Sequence, residues 1–128
     1  MDSFVKVRWL RGEVAVTQVQ LWQHAPAAWQ PPINAFRCET CVRICVDLAG
    51  VEKTAIELHV EPRRVVVRGE RRPPEPTEKH GRSLQILALE IDYGPFEREL
   101  HLPAEVDVER AHAEQENGLL WISLPLKQ

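Results

Sequence analysis

No run of apolar residues in this sequence approaches the ~20 that a transmembrane helix needs. The basic residues near the N-terminus, Lys6, Arg8 and Arg11, have no apolar run behind them of the kind a secretory signal carries. No membrane partner is therefore expected, and the default location is the cytoplasm. Positive charge is not in excess either: Lys+Arg number 16 against 19 Asp+Glu, a net charge of -3. A protein that neutralises phosphates carries a basic face, so no nucleic-acid partner is expected. The longest basic cluster, Arg63, Arg64, Arg68, Arg71 and Arg72, is interrupted by valines at strand spacing and reads as a solvated strand face.

Chemistry is sparse as well. Ser3, Ser83 and Ser123 lie in no nucleophile-elbow context, and the 6 glycines form no phosphate loop. The 5 histidines, His24, His59, His80, His101 and His112, show no paired ligand spacing and read as surface or edge residues. Cysteine is scarce, at 3 residues, but clustered: Cys38, Cys41 and Cys45 give C-x2-C-x3-C. A structural metal site usually wants four such ligands, and there is no second pair. On an extended strand Cys41 and Cys45 stand roughly 13 Å apart, beyond the ~7 Å a disulfide tolerates. Ordinary small strand residues are the leading reading of the three, with redox or intermolecular chemistry second and metal a distant third. No catalytic residue, cofactor or metal is assigned, and the chain is not expected to be an enzyme.

What is present points to β structure. The 128 residues suit one domain with a real core, and the 10 prolines separate short apolar runs. "CVRICVDL" alternates, with Val42, Ile44, Val46 and Leu48 on one face. A Gly-centred turn follows, then "AIELHV" alternates through Ile56, Leu58 and Val60, and "RVVVRGE" reads as a β-branched strand ending at Gly69. Residues 71–83 hold too many prolines and charges for a core strand. "LQILALEI", residues 84–91, is apolar enough to be a strand but is isolated by that loop. "FERELHLP" alternates through Phe96, Arg98, Leu100 and Leu102. Asn117-Gly118 marks a tight hairpin, because both residues tolerate positive φ, and "LLWISLPL" is the last strand. Short strands joined by short turns read as a sandwich or barrel. Residues 1–32 differ: they carry Trp9, Trp22 and Trp29, and "VAVTQVQLW" fits helix or strand. They read as an N-terminal arm, with the domain proper over 33–128.

These strands carry a resemblance. "YGPFERELHLP" resembles the Gly-x-Phe-x-Arg-x-φ-x-Leu-Pro signature (φ apolar) of the small heat-shock proteins, the α-crystallin domain chaperones, through Gly94, Phe96, Arg98, Leu100, Leu102 and Pro103. "AEQENGLL" matches that family's Ala-x-x-x-x-Gly-x-Leu element through Ala113, Gly118 and Leu120. "VDLAGVEKTAIELHVEPRRVVVRGERR" is similar to the preceding stretch, with Ala49 where a proline is commoner. The resemblance implies an all-β, immunoglobulin-like sandwich of seven to eight strands. It also implies an ATP-independent holdase that binds partly unfolded client proteins, in the setting of a stress response. A CS-domain-type co-chaperone and a thiol redox-sensing interaction module are the alternatives. The family's Ile-x-Ile/Val tail has no counterpart after Leu126, which only Lys127 and Gln128 follow, and the expectation is that it is lacking.

Site residues follow from the resemblance. The segment with Ile86, Leu87 and Leu89 would form a homodimer interface by crossing to the other subunit, with Glu90 and Arg98 bridging the two. An apolar groove would lie at Ile56, Leu58, Val60, Ala113 and Leu120. With no tail to fill it, Val5-Lys6-Val7 or Val14-Ala15-Val16 could add a strand there, or simply belong to local structure. Trp9, Trp22 and Trp29 would bind clients. A small oligomer of dimers, or co-assembly with a second small heat-shock protein, is compatible with this.

Overall fold

Among the described residues the strand signals resolve into nine β-strands and two single-turn 3-10 segments. The computed structural model describes the backbone of residues 3–10, 13–20, 27–75 and 85–128, with side chains for 27–75 and 85–128. In chain order the strands are β1 (Ser3–Leu10), β2 (Glu13–Gln20), β3 (Ile33–Arg37), β4 (Cys41–Asp47) and β5 (Ile56–Glu61). They continue with β6 (Arg64–Arg71), β7 (Gly94–His101), β8 (His112–Glu116) and β9 (Leu119–Pro125). All pairings between them are antiparallel.

Two sheets form the sandwich, β3-β4-β9-β8 on one side and β5-β6-β7 on the other. The β1–β2 hairpin bonds to both β8 and β5, so the hydrogen-bonded order runs continuously as β3-β4-β9-β8-β2-β1-β5-β6-β7. The core lies between the sheets. Period-two alternation delivers Val42, Ile44 and Val46 from β4, Ile56, Leu58 and Val60 from β5, and Leu120, Ile122 and Leu124 from β9. Val65 and Val67 of β6 and Phe96 of β7 close it from the second sheet. Fully burying each such side chain contributes about 1.5–3 kcal/mol, and a Leu- or Ile-to-Ala change among them costs about 2–5 kcal/mol.

Asn117 and Gly118 make the tight β8–β9 turn, with φ of 52° and 79°, the handedness a two-residue hairpin requires. That turn sets the register Glu116 opposite Leu119 and Ala113 opposite Ile122. The carbonyl of Gly118 also accepts from Leu48 N–H at 2.9 Å, tying the hairpin to the end of β4.

Several expectations need correction. No strand forms over 85–91, and Ile86, Leu87, Leu89 and Ile91 stand exposed; Leu84 lies outside the described residues. An apolar strand needs an edge to pair with, and this stretch pairs with none among the described residues. β6 continues past Gly69 to Arg71 because Gly69 pairs with Phe96 on β7, whose ring covers it. The ambiguous 13–20 stretch is strand β2. His59, expected at the surface or an edge, is buried, as is Val66 opposite it on β6. Both sit on the face that alternation alone would turn outward.

Candidate functional site

If the sandwich had only β3–β9, two edges besides those of the outermost strands β3 and β7 would be open: the outer edge of β5 and that of β8. Unpaired edges carry a row of unsatisfied N–H and C=O groups and recruit another strand. The β1–β2 hairpin occupies both. Val5 stands opposite Val60 and Lys6 opposite His59, while Val14 stands opposite Ala113 and Glu13 opposite Glu114. The hairpin's own ladder runs from Ser3–Gln20 to Leu10–Glu13. Of the expected groove residues, Ile56, Leu58, Val60, Ala113 and Leu120 are all core, none more than 4% exposed. Leu120, on β9, lies one strand in from the edge. What meets β1 and β2 is the edge backbone at 59–60 and 113–114.

The second feature is apolar and open. Ile86 is 71% exposed, Leu87 88%, Leu89 55% and Ile91 59%. Singly exposed apolar residues are ordinary, but a contiguous run marks a surface made to be covered. Glu90, in this run, is exposed, and Arg98, on β7 opposite Val67, is half-buried. Neither forms an ion pair with another described residue, and they do not pair with each other within the chain. Two arginines of β6 are matched: Arg68 pairs with Glu97 at 2.8 Å, and Arg64 with Glu61 at 2.5 Å and Glu99 at 3.4 Å. Of the basic cluster, Arg64 and Arg68 are therefore committed to neighbouring carboxylates.

Arg71 holds the end of the apolar run. Its Nε donates to the carbonyl of Asp92 at 2.7 Å, its Nη2 donates to the same oxygen, and its Nη1 reaches the carbonyl of Ala49 at 3.3 Å. Sequence reasoning misses this anchor, because a guanidinium spanning two carbonyls has no local signature.

Trp29 is fixed on the domain. Its Nε1 donates to the Gly94 carbonyl at 3.1 Å, its ring meets Phe96 at 5.4 Å between centroids, and the Arg71 guanidinium sits 4.1 Å over it. Ala28 N–H donates to the Pro95 carbonyl, and Glu97 N–H to that of Trp29. Pro31 is fully buried. Ala28 and Trp29, on the arm side of the expected 32/33 boundary, thus pack against β7. The Trp9 side chain and all of Trp22 lie outside the described residues.

Among the described residues no group of three or more His, Cys, Asp or Glu could hold a metal ion, and no helix is long and apolar enough to cross a membrane.

Comparisons with known proteins converge on one family. A family model described as the Hsp20/alpha crystallin family matches residues 36–128. Heat shock protein 16 of Schizosaccharomyces pombe is 31% identical over 103 residues, covering 78% of this chain and 68% of that protein. Spore protein SP21 of Stigmatella aurantiaca is also 31% identical over 103 residues, covering 80% of this chain but 59% of its own length. Among solved structures, heat shock protein 16.0 from S. pombe superposes with a TM-score of 0.68 at 27% identity, covering 78% of this chain and 89% of that one.

Proposed function

The chain belongs to the Hsp20/alpha crystallin family, and from that premise we propose that it is an ATP-independent holdase that binds partly unfolded proteins and delays their aggregation. One observation carries the reading. The family match runs from the end of β3 through β9, and this part of the sandwich presents an open apolar run at Ile86, Leu87, Leu89 and Ile91. A holdase needs exposed apolar surface on a rigid scaffold and needs no bound nucleotide.

The assembly unit in this reading is a homodimer, in which the 86–91 run pairs with an edge of the second subunit. β3 is the outermost strand of its sheet and offers such an edge. Glu90 and Arg98, unmatched among the described residues of the chain, would bridge the two subunits. Clients would bind the arm through Trp9 and Trp22, with Trp29 contributing less because its ring is already engaged. Association into small oligomers, or with a second small heat-shock protein, is part of the same proposal. Three free thiols suit a reducing compartment such as the cytoplasm.

The test is aggregation suppression. A client enzyme that scatters light on mild heating is warmed with the protein and no nucleotide. Suppression near one subunit per client is expected; undiminished scattering at several-fold excess defeats the reading.

A further inference from the structure

The β3–β4 hairpin turns through Cys38, Glu39, Thr40 and Cys41, and the turn brings two thiols together. Cys38 Sγ lies 2.8 Å from Cys41 Sγ. The Cys41 amide donates to Cys38 Sγ at 3.1 Å, and Thr40 Oγ1 stands 3.5 Å from it. Cys38 N–H donates to the Cys41 carbonyl at 2.9 Å, which closes the turn, and the Thr40 carbonyl accepts from Leu126 N–H at 2.9 Å, which ties it to the end of β9. The ends of a four-residue turn keep their Cα atoms within about 7 Å. A disulfide spans Cα separations of about 4.4–6.8 Å. The bond can therefore close without moving either strand.

The two thiols are not equivalent. Cys38 is exposed, and hydrogen bonds from the Cys41 thiol and from Thr40 lower its pKa from 9.0 to about 7. Cys41 is half-buried, and the bond it gives to Cys38 pushes its own pKa up, as burial does. The surroundings thus provide one attacking thiolate and one resolving thiol. Cys45 is buried four residues along β4 and has no such neighbour, so it serves as an internal control.

We propose that Cys38 and Cys41 form a reversible thiol–disulfide exchange site for low-molecular-weight disulfides, with Cys38 attacking and Cys41 resolving. The Cys38 thiolate attacks one sulfur of a small disulfide, forming a mixed disulfide and expelling one small thiolate. Cys41, losing its proton to solvent, then attacks Cys38 Sγ and expels the second. The two protein sulfurs lose two electrons, the small disulfide gains them, and its thiolates take up the protons. Closure would cross-link the turn that feeds β3, the outermost strand of its sheet. The site is independent of the holdase reading.

The test incubates the fully reduced chain with oxidised glutathione, quenches in acid, and reads intact mass and peptide maps, with circular dichroism confirming that each variant is folded. The wild type is expected to lose two hydrogens and yield a 38–41 disulfide without lasting glutathione adducts. Cys41→Ser should stop with one glutathione at position 38. Cys38→Ser should form no internal bond and react about tenfold more slowly at position 41, while Cys45→Ser behaves as wild type. Stable glutathione adducts on the wild type would overturn the proposal. So would equal rates for Cys38→Ser and Cys41→Ser, or a urea-unfolded chain closing the bond as fast as the folded one.

Discussion

Gly69 and Phe96 stand opposite each other across the β6–β7 ladder, and the Phe96 ring lies where a side chain at 69 would go. A Cβ at position 69 would meet Phe96 Cζ at 2.6 Å and the Ala55 carbonyl oxygen at 2.1 Å. Both neighbours are fixed. Phe96 is held from its other side by Trp29, and Ala55 by the hydrogen bond its amide gives to Glu52. Gly69→Ala is therefore expected to cost at least the upper part of the about 1–3 kcal/mol typical of overpacking. Urea denaturation followed by tryptophan fluorescence reads this, and an unchanged midpoint would show that the ring gives way freely.

The β8–β9 turn makes a second, separable prediction. Gly118 has φ of 79°, and a Cβ there would approach the Cα of Ala49 at 3.1 Å. Gly118→Ala thus suffers both strain and crowding, and a loss of about 1–3 kcal/mol is expected. Asn117→Gly, which relieves positive φ at a neighbouring position, should stay within about 0.5 kcal/mol. Thermal unfolding of the two variants distinguishes turn strain from a general intolerance of change at the hairpin.

Much of this architecture is legible in the order of residues alone. The alternation of Val42, Ile44 and Val46, and of Ile56, Leu58 and Val60, names core positions, because a strand buried on one face repeats every two residues. Asn117-Gly118 names its own turn. Nothing in the sequence reveals that Gly69 is a seat for Phe96, since a strand glycine looks the same whether it ends a strand or admits a ring. Nor does it show that 85–91 stays unpaired within its chain, because local apolarity does not specify a partner. His59 fails for a related reason: alternation assigns it to the outer face, and what covers that face is set by tertiary structure. The C-x2-C spacing is visible, but the meeting of the two thiols depends on the turn between them.

The exposed run should decide assembly without touching the fold. Leu87, at 88% exposure, packs on little in its own chain, so Leu87→Asp is expected to leave the stability within about 0.5 kcal/mol of wild type. If the run is the dimer contact, the same change buries an unpaired carboxylate there and should shift the mass at low micromolar concentration to monomer. Arg98→Ala should act in the same direction, by about 3–5 kcal/mol if its partner is a buried Glu90 and under about 1 kcal/mol if the pair is exposed. A dimer unaffected by both changes would place the interface elsewhere.

Thiol reactivity should follow pH with a definite sign. Cys38 is lowered from 9.0 to about 7 by the Cys41 and Thr40 hydrogen bonds, whereas Cys41 and Cys45 are both raised. Between pH 7 and 9, folded Cys38 is largely thiolate while the same residue in an unfolded chain is largely thiol. Alkylation by iodoacetamide, mapped by peptide mass, should therefore rise at position 38 through about pH 7 and at 41 and 45 only at higher pH. Unfolding in urea should erase the difference. A Thr40→Val variant, which removes one of the donors, should move the Cys38 profile upward.

The N-terminal hairpin makes the most discriminating prediction. β1 meets β5 over two residue pairs and β2 meets β8 over two, whereas β4 and β9 share a ladder from Cys41–Pro125 to Asp47–Leu119. So short a seam belongs at the low-stability end of the molecule and should open without global unfolding. Deleting residues 1–26 leaves the Trp29 and Pro31 packing in place. It is expected to speed amide exchange along the β5 and β8 edges while the β4–β9 amides stay protected and the urea midpoint moves little. If the deletion unfolds the sandwich, the hairpin is an integral part of the core. If exchange along those edges is unchanged by the deletion, the hairpin does not cover them in solution, and the two edges remain open to a strand from elsewhere.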